Sequence, residues 1–285
     1  MNILTFDIEE WFQIIYTSDS HNETHWSSFE TRIEANVDRI LLFLSTHDLP
    51  ATFFVMGWIA KRYPQVCKSI HNAGYRIGFH SMDHQALDKF TPDSFRKDIR
   101  TGKDIIENTT GQQVTYYRAP FFSLTSATRW TIPILLEEGF TVDSSVFPSP
   151  LYHAGKRSIF YNKPFRIIHE EKTLLEFPIN TFNFSGYPVV FSGGGFFRML
   201  PYFMIKYMTQ HSNYILSYFH PRDFDTAQPK PKELSLFRQL GSYTGLRRAM
   251  HKFEKWTYEF SFINMDTALN EIDWDNTPAV NLSDL

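Results

Sequence analysis

The chain has 285 residues, a formal net charge of −3 and one cysteine, Cys67. A single cysteine excludes an intramolecular disulfide framework, and the mixing of both charge signs gives no basic stripe for nucleic-acid binding. Hydrophobic residues make up 42% and aromatic residues 17% of the sequence, which suffices for one large α/β barrel or two smaller domains. The N-terminus lacks a basic region and a long apolar stretch, so we expect a cytoplasmic protein without a transmembrane segment.

Short apolar strands alternate with amphipathic helices along most of the chain. The predicted strands lie at residues 2–8, 51–55, 75–79, 114–117, 140–143, 174–179 and 213–219. The predicted helices lie at about residues 33–44, 58–73, 92–108, 126–138, 200–209 and 246–257. Ser27 and Glu30 predict a capping box before the first helix, and Pro133 predicts a kink. Segments 147–173 and 226–245 are predicted to be loops.

This alternation predicts parallel strands joined by right-handed crossovers. About seven or eight such units favour a closed or nearly closed barrel, with an open doubly wound sheet as the alternative. In both architectures the chemistry belongs at the carboxyl ends of the strands. Five polar residues fall at or just past predicted strand ends, namely Asp7, His80, Arg118, Asp143 and His220.

The pair His80 and His84 predicts a metal site. Two imidazoles four residues apart can share one face of a helical turn, and a carboxylate from the acidic cluster at residues 7–10 completes a three-ligand site. Such a set suits a borderline divalent ion, Zn²⁺ first, with Co²⁺ or Ni²⁺ as alternatives. A bound ion lowers the pKa of a water molecule to about 7 and polarises a carbonyl group.

The remaining strand-end residues fit the other roles of amide or ester hydrolysis. Asp7 is the candidate base, and His220 is the candidate acid for the leaving group, with Asp143 as the carboxylate that holds it. Arg118 can pair with Asp7, and the N–H of Phe121 can face a developing oxyanion. A turn cap for Asp7, a surface histidine at 220 and a surface salt bridge for Arg118 are the alternatives.

Five ordered motifs carry a resemblance to a known family. They are Thr5-Phe6-Asp7, His80-Ser81-x-x-His84, Arg118-x-Pro120-Phe121, Asp143-Ser144 and Leu216 to His220. The set resembles the polysaccharide deacetylases, carbohydrate esterase family 4 with the NodB-homology domain, over about residues 1–225. The resemblance implies a distorted seven- or eight-stranded (β/α) barrel and metal-dependent removal of acetyl groups from N-acetylated amino sugars, with the roles given above.

The resemblance also implies a single deacetylase domain over residues 1–285, with a motif-bearing core at about 1–225 and a C-terminal closure at about 226–285. Segments near Asp7 to Phe12, Leu175 to Pro178 and Gly193 to Arg198 resemble deacetylases associated with exopolysaccharide or surface-glycan gene clusters. The implied partner is an N-acetylated sugar or oligosaccharide of a bacterial polysaccharide or its precursor.

Four residues are further candidates for substrate contact. Trp11 and Phe122 can act as sugar platforms, with core packing as the alternative. Gly194 and Gly195 lie in a glycine run that can bring backbone N–H groups close to a phosphate, with a tight loop as the alternative.

One position departs from the family pattern. The family has a second aspartate after the base, where this chain has Ile8. Strand alternation puts Asp7 and Glu9 on the same side and Glu10 on the other, so Glu9 is the predicted metal ligand. The substitution leaves two alternatives open: a metal-independent amidohydrolase of the same superfamily acting on a linear or cyclic amide, and a catalytically inactive glycan-binding barrel.

Overall fold

The structure is a computed structural model that describes residues 1–14, 23–148, 159–184, 186–231 and 234–285. Its architecture is a mixed α/β fold built on a mainly parallel sheet, which confirms the predicted fold class. No helix in the described part of the chain combines the length and apolarity that a membrane crossing needs.

Most strands of the main sheet run in the same direction, so their carboxyl ends lie at one edge. The described strands are β1 (Asn2–Ile3), β2 (Thr5–Ile8), β3 (Thr52–Val55), β4 (Arg76–Phe79), β5 (Tyr116–Tyr117), β6 (Val142–Asp143), β7 (Phe165–His169), β8 (Lys172–Glu176), β9 (Phe182–Phe184), β10 (Tyr187–Val189), β11 (Ile215–Leu216) and β12 (Ala279–Asn281). Eight of them form one sheet in the order β12-β7-β8-β6-β5-β4-β3-β2. β1 pairs in parallel with β11, and a bridge between Phe6 and Phe219 continues that pairing along β2.

Helices follow the strands in the chain and contribute to the apolar core. The described helices are α1 (Trp11–Ile14), α2 (Glu23–Trp26), α3 (Ile33–Thr46), α4 (Gly57–Arg62), α5 (Pro64–Asn72), α6 (Pro92–Thr110), α7 (Thr131–Glu137), α8 (Gly194–Met199), α9 (Tyr202–Gln210), α10 (Leu236–Tyr243), α11 (Leu246–Glu259) and α12 (Met265–Glu271). The amphipathic helix α6 shows the pattern, because it buries Phe95, Ile99 and Ile106. This packing fixes the strands whose ends carry the polar residues.

Two segments predicted as loops contain regular structure. β7 lies within the predicted loop 147–173, of which residues 149–158 lie outside the described residues, and it pairs antiparallel with β8. The strands in the seven predicted segments pair in parallel with one another as expected, and β7, which is not predicted from the sequence, adds the antiparallel pairing. α10 lies within the predicted loop 226–245, of which residues 232 and 233 are outside the described part. Its start is set by the Ser235 side chain, which accepts the Arg238 N–H as an N-cap.

Two prolines lie in the first turn of a helix, where the sequence predicts a continuous helix and a kink. The single helix predicted over 58–73 is divided, because Pro64 takes the first position of α5 just after α4 ends. α7 begins at Thr131 instead of residue 126, so Pro133 lies in its first turn. A proline there costs no intrahelical hydrogen bond, since the first N–H groups of a helix have no partner, and the predicted kink is wrong.

The start of α3 is capped by a residue distant in sequence. The capping box predicted at Ser27 and Glu30 is wrong, because α3 begins only at Ile33. The carboxylate of Glu10, which follows β2, takes this role. Its Oε1 accepts hydrogen bonds from Thr31 Oγ1 at 2.6 Å, the Arg32 N–H at 2.7 Å and the Ile33 N–H at 3.0 Å. Burial raises the pKa of Glu10, and these donors oppose part of that effect.

We expect the replacement of Glu10 by alanine to destabilise the fold more than its replacement by glutamine. Glu10→Ala leaves three donors without their acceptor and should lower the free energy of unfolding by about 2–4 kcal/mol. Glu10→Gln keeps one carbonyl oxygen as acceptor and should cost about 1 kcal/mol or less. Urea unfolding at neutral pH measures both variants. Equal losses for the two would contradict the capping role.

Candidate active site

The polar residues predicted at strand ends converge at one edge of the sheet. β2 supplies Asp7, the residues after β2 and β4 supply Glu9 and His80, and the segments after β5 and β11 supply Arg118 and His220. The first four of these side chains are buried, with at most 2% of each exposed. The sequence therefore predicts the members of this cluster correctly, while their chemical roles stay predictions.

A buried ion pair lies at the centre of the cluster. Arg118 is fully buried, and its Nη1 donates to Asp7 Oδ1 at 2.6 Å and to Thr5 Oγ1 at 2.8 Å. Nη2 donates to Ser144 Oγ at 2.9 Å, and the guanidinium carbon lies 4.0 Å from the centroid of the Phe54 ring. The predicted pairing of Arg118 with Asp7 is thus present, and it holds the carboxylate of Asp7 in one orientation.

Glu9, His80 and His84 bring three potential metal ligands together. The Nε2 atom of His80 lies 2.8 Å from Glu9 Oε1, and the Nε2 atom of His84 lies 3.1 Å from Glu9 Oε2. The ligand atoms of the three residues all lie within 4.8 Å of one another. Burial would raise the pKa of Glu9, but the facing imidazoles of His84 and His80 hold it well below its usual value.

The hydrogen bonds of this triad fit a bound cation. His80 Nδ1 lies 2.7 Å from the backbone oxygen of Arg118, so Nδ1 donates to that oxygen and Nε2 is directed at Glu9. Lone pairs on that nitrogen and on the carboxylate need a positive charge between them. Glu9 Oε2 is also buried, with His84 Nε2 3.1 Å away. Two imidazoles and a carboxylate are the donor set of a catalytic zinc-type site.

The two histidines reach this arrangement without a helix, so the predicted helical turn is wrong. Ser81 and His84 have φ values of 60° and 52°, which fold the loop after β4 back on itself. Six described non-glycine residues have positive φ, and four of them lie at this site: Ser81, His84, Phe121 and Phe122. Backbone strain of this kind is concentrated at functional sites because the surrounding fold must hold it in place.

The His220 ring lies next to the carboxylates of Asp7 and Glu9. Its Nε2 lies 3.9 Å from Asp7 Oδ2 and 4.0 Å from Glu9 Oε1. Its Nδ1 lies 3.1 Å from Asp223 Oδ2, which also accepts the His220 backbone N–H at 2.9 Å. Burial would lower the pKa of His220, but Asp223, Glu9 and Asp7 raise it to about 9. The ring is therefore held as a protonated acid.

The carboxylate that orients His220 is Asp223, so the predicted contact with Asp143 is wrong. Asp223 lies three residues after the histidine, where the 3-10 turn Pro221–Phe224 brings it back to the ring, and that spacing is a signal the sequence analysis missed. Asp223 Oδ1 in turn accepts a hydrogen bond from Arg198 Nε at 2.8 Å. Burial opposes ionisation of Asp223, yet His220 and Arg198 keep its pKa far below the usual value.

Asp143 belongs to a second buried acid pair. It accepts a hydrogen bond from Ser145 Oγ and shares another with Glu176. Glu176 Oε1 accepts the backbone N–H groups of Ser145 at 3.1 Å and Val146 at 2.9 Å. Burial and the charge of Asp143 raise the pKa of Glu176 well above its usual value, so Glu176 holds the shared proton. The pair braces the turn that carries Ser144, a partner of Arg118.

The predicted aromatic sugar platforms are buried. Trp11 is 4% exposed, and its indole N–H donates to the Glu30 backbone oxygen at 2.9 Å, so its predicted substrate contact is wrong. Phe122 is 5% exposed and lies beneath the guanidinium group of Arg118, 5.3 Å from the ring centroid to the guanidinium carbon. Both rings support the site from within, because aromatic rings supply much of the packing area of a core.

The glycine run allows a close approach between two backbones beside His220. A Cβ atom at Gly193 would lie 1.9 Å from the Tyr218 backbone oxygen, and the Gly194 N–H donates to that oxygen at 2.9 Å. The predicted phosphate contact through the Gly194 N–H is therefore wrong, and the tight-loop alternative is correct. The Phe121 ring lies 4.4 Å from the His84 ring, centroid to centroid, while the roles of the Phe121 N–H and of Gly195 stay predictions.

Comparison with known proteins agrees with this geometry. The family model for polysaccharide deacetylase matches residues 17–133, which include both histidines and Arg118. This part of the chain matches a polysaccharide deacetylase domain. A second family model, described as a domain of unknown function, DUF3473, matches residues 144–270, which include His220 and Asp223.

Individual relatives extend the likeness. A peptidoglycan-N-acetylglucosamine deacetylase of Bacillus cereus is 34% identical over 83 residues, which are 29% of this chain and 30% of that protein. The chain spans less than half the length of the curated relatives it matches.

Two crystal structures share the fold. A presumed polysaccharide deacetylase from Mycobacterium smegmatis aligns with a TM-score of 0.65 and 18% identity, over 97% of this chain and 91% of that one. A mutant of a family 4 pseudoenzyme with restored activity aligns with a TM-score of 0.51 and 16% identity, over 95% of this chain and 68% of that one.

We expect Asp223 to set the pKa of His220. In Asp223→Asn the negative charge beside Nδ1 is lost, so the pKa of His220 should fall from about 9 toward the ordinary histidine value of about 6.5. Asp225→Asn is a matched control, because Asp225 pairs with Arg32 instead. NMR titration of chelator-treated protein measures the ring, with His220→Gln used for assignment. An unchanged pKa in D223N would contradict this assignment.

Proposed function

We propose that the chain is a metal-dependent hydrolase that removes N-acetyl groups from an amino sugar of a bacterial polysaccharide or its precursor. One observation carries the proposal: a base paired with a buried arginine and a histidine with a raised pKa both lie next to a carboxylate–imidazole triad. The deacetylase names of the family and of the Bacillus cereus relative support this reaction class.

Glu9, His80 and His84 would hold the metal, and Zn²⁺ is the ion that their donor set favours, with Co²⁺ or Ni²⁺ as alternatives. When bound, such an ion lowers the pKa of a water molecule and polarises the acetamide carbonyl. The tautomer of His80, fixed by the Arg118 backbone oxygen, directs its Nε2 lone pair toward that position.

The protein groups beside the triad supply the proton transfers. Asp7 takes a proton from the attacking water, and Arg118 keeps its carboxylate aimed by a direct hydrogen bond. His220 then gives its proton to the amine nitrogen as the carbon–nitrogen bond breaks, which releases acetate and the free amino sugar. Asp223 favours the protonated ring before this step, and the Phe121 N–H is the proposed donor to the oxyanion.

The metal-independent alternative fits the site less well. Without a metal ion, the buried Glu9 carboxylate would need protons on the imidazole nitrogens that face it, at 2.8 Å from His80 and 3.1 Å from His84. An inactive glycan-binding barrel would gain nothing from the aligned Asp7 and His220, which the proposed chemistry uses. Activity and metal content, measured on the same preparation, separate the three functions.

We expect Glu9→Gln to lose the metal, while Glu10→Gln keeps it. The two residues are adjacent, but only the Glu9 carboxylate faces His80 and His84. Loss of one anionic ligand should lower metal affinity and release of acetate from N-acetylchitohexaose, each by about 10-fold or more. Metal content by mass spectrometry and acetate release are measured on both variants. Metal-free wild-type protein with full activity would overturn the proposal.

We expect Asp7→Asn to abolish most turnover without loss of metal. An amide at this position cannot take the proton from water, so kcat should fall by about 10²–10⁴. Wild-type metal content in D7N would separate this effect from loss of the ion. Unchanged turnover in D7N would rule out Asp7 as the base, and an inactive, metal-loaded wild type would favour the binding barrel.

A further inference from the structure

A cavity of about 980 Å³ lies between the end of α8 and the helix α11. No carboxylate is among its described lining residues, whereas six lysines and arginines are: Arg198, Lys230, Arg247, Arg248, Lys252 and Lys255. The whole chain has a formal net charge of −3, so this concentration of positive charge does not follow from its composition. The cavity is therefore a local positive region on a slightly acidic protein.

The cations are held close together by α11. Arg248, Lys252 and Lys255 follow one another at helical spacings of four and three residues, so they share one face of the helix. Like charges at such spacings destabilise a helix, and a ligand of opposite charge would offset that cost. Burial together with the charges of Arg248 and Arg198 lowers the pKa of Lys252. The positive charges therefore act on each other.

Two of the cations are fixed and others remain exposed. Lys252 Nζ donates to the backbone oxygens of Phe197, Arg198 and Leu200 at 2.9, 3.0 and 2.6 Å, which caps the carboxyl end of α8. Arg198 is buried and donates to the backbone oxygens of Ser242 and Thr244 on the cavity rim. The exposed cations at the opening are Lys230, Arg247, Arg248 and Lys255.

We propose that this cavity binds a phosphate or diphosphate group. Several guanidinium and ammonium groups around one concave space match an anion that carries more than one negative charge, and arginine offers paired donors to phosphate oxygens. α8 joins the cavity to the candidate active site, because Gly194 at its start lies beside His220 and Met199 at its end lines the cavity. Six helical residues span about 9 Å, so one glycan ligand with an anionic group can reach both places.

Binding of inorganic diphosphate to the full chain tests the site directly. The test variant is Arg247→Ala with Arg248→Ala, and the matched control is Lys68→Ala with Lys89→Ala, which removes two exposed positive charges that do not line the cavity. Calorimetry at low salt should show binding to the wild type, at least about a tenfold weaker association for R247A/R248A, and wild-type affinity for K68A/K89A. Equal loss in both variants, or a wild type that binds neither diphosphate nor phosphatidylglycerol vesicles, overturns the proposal.

Vesicles of phosphatidylglycerol in phosphatidylcholine distinguish the source of the phosphate. Cosedimentation that depends on Arg247 and Arg248, without binding of diphosphate, assigns the site to a lipid headgroup, whereas diphosphate binding assigns it to a soluble or substrate-borne phosphate. Thermal melting of each variant verifies that it is folded. Because these measurements need no turnover, their failure would leave the proposed deacetylase function standing, and an inactive enzyme would leave the anion site standing.

Discussion

The buried ion pair of Asp7 and Arg118 is the constraint on which the site depends. The arginine reaches β2 through Asp7 and the end of β6 through Ser144, while its own backbone oxygen accepts the Nδ1 proton of His80. One residue therefore aims the candidate base and sets the tautomer of a candidate metal ligand. Removing either partner would leave a charge in the core, which typically costs about 3–5 kcal/mol, so the pair is fixed by the same burial that makes it costly.

Two carboxyl groups that are both buried have pKa values shifted in opposite directions, and the charges of their neighbours determine the direction. Asp223 lies between His220 and Arg198, and its pKa is far below the ordinary value in spite of burial. Glu176 faces the carboxyl group of Asp143 without a cation of its own, and its pKa is well above the ordinary value. The first acid can hold a histidine in its protonated form, and the second serves as a neutral brace for the turn behind Arg118.

Arg198 connects Asp223, the partner of His220, with the end of α10. Its Nε donates to Asp223, and its Nη1 donates to the backbone oxygens of Ser242, near the end of α10, and Thr244, just after it. The histidine acid is thus positioned by residues that lie outside the match to the polysaccharide deacetylase family model, within residues matched by DUF3473. A hydrogen-bonded chain within the second matched segment therefore runs from the candidate acid through Asp223 and Arg198 to the basic cavity.

The sequence predicts the residues of this site better than their contacts, for a physical reason. Asp7, His80, Arg118 and His220 are recognisable because each follows a short apolar strand, and parallel strands end at one edge. The hydrogen-bond partners of these residues depend on the tertiary fold, which the hydrophobic periodicity of the sequence does not predict.

The errors follow the same division. Asp143 ends a strand as expected, yet the strand beside it places Glu176 within reach and leaves His220 to Asp223. The cap of α3 comes from Glu10, which lies 23 residues before Ile33 at the start of the helix, so a local capping pattern could not reveal it. Positive φ at Ser81 and His84 replaced a helical turn because the loop must fold back to bring both imidazoles to one carboxylate, a demand that only the assembled site imposes.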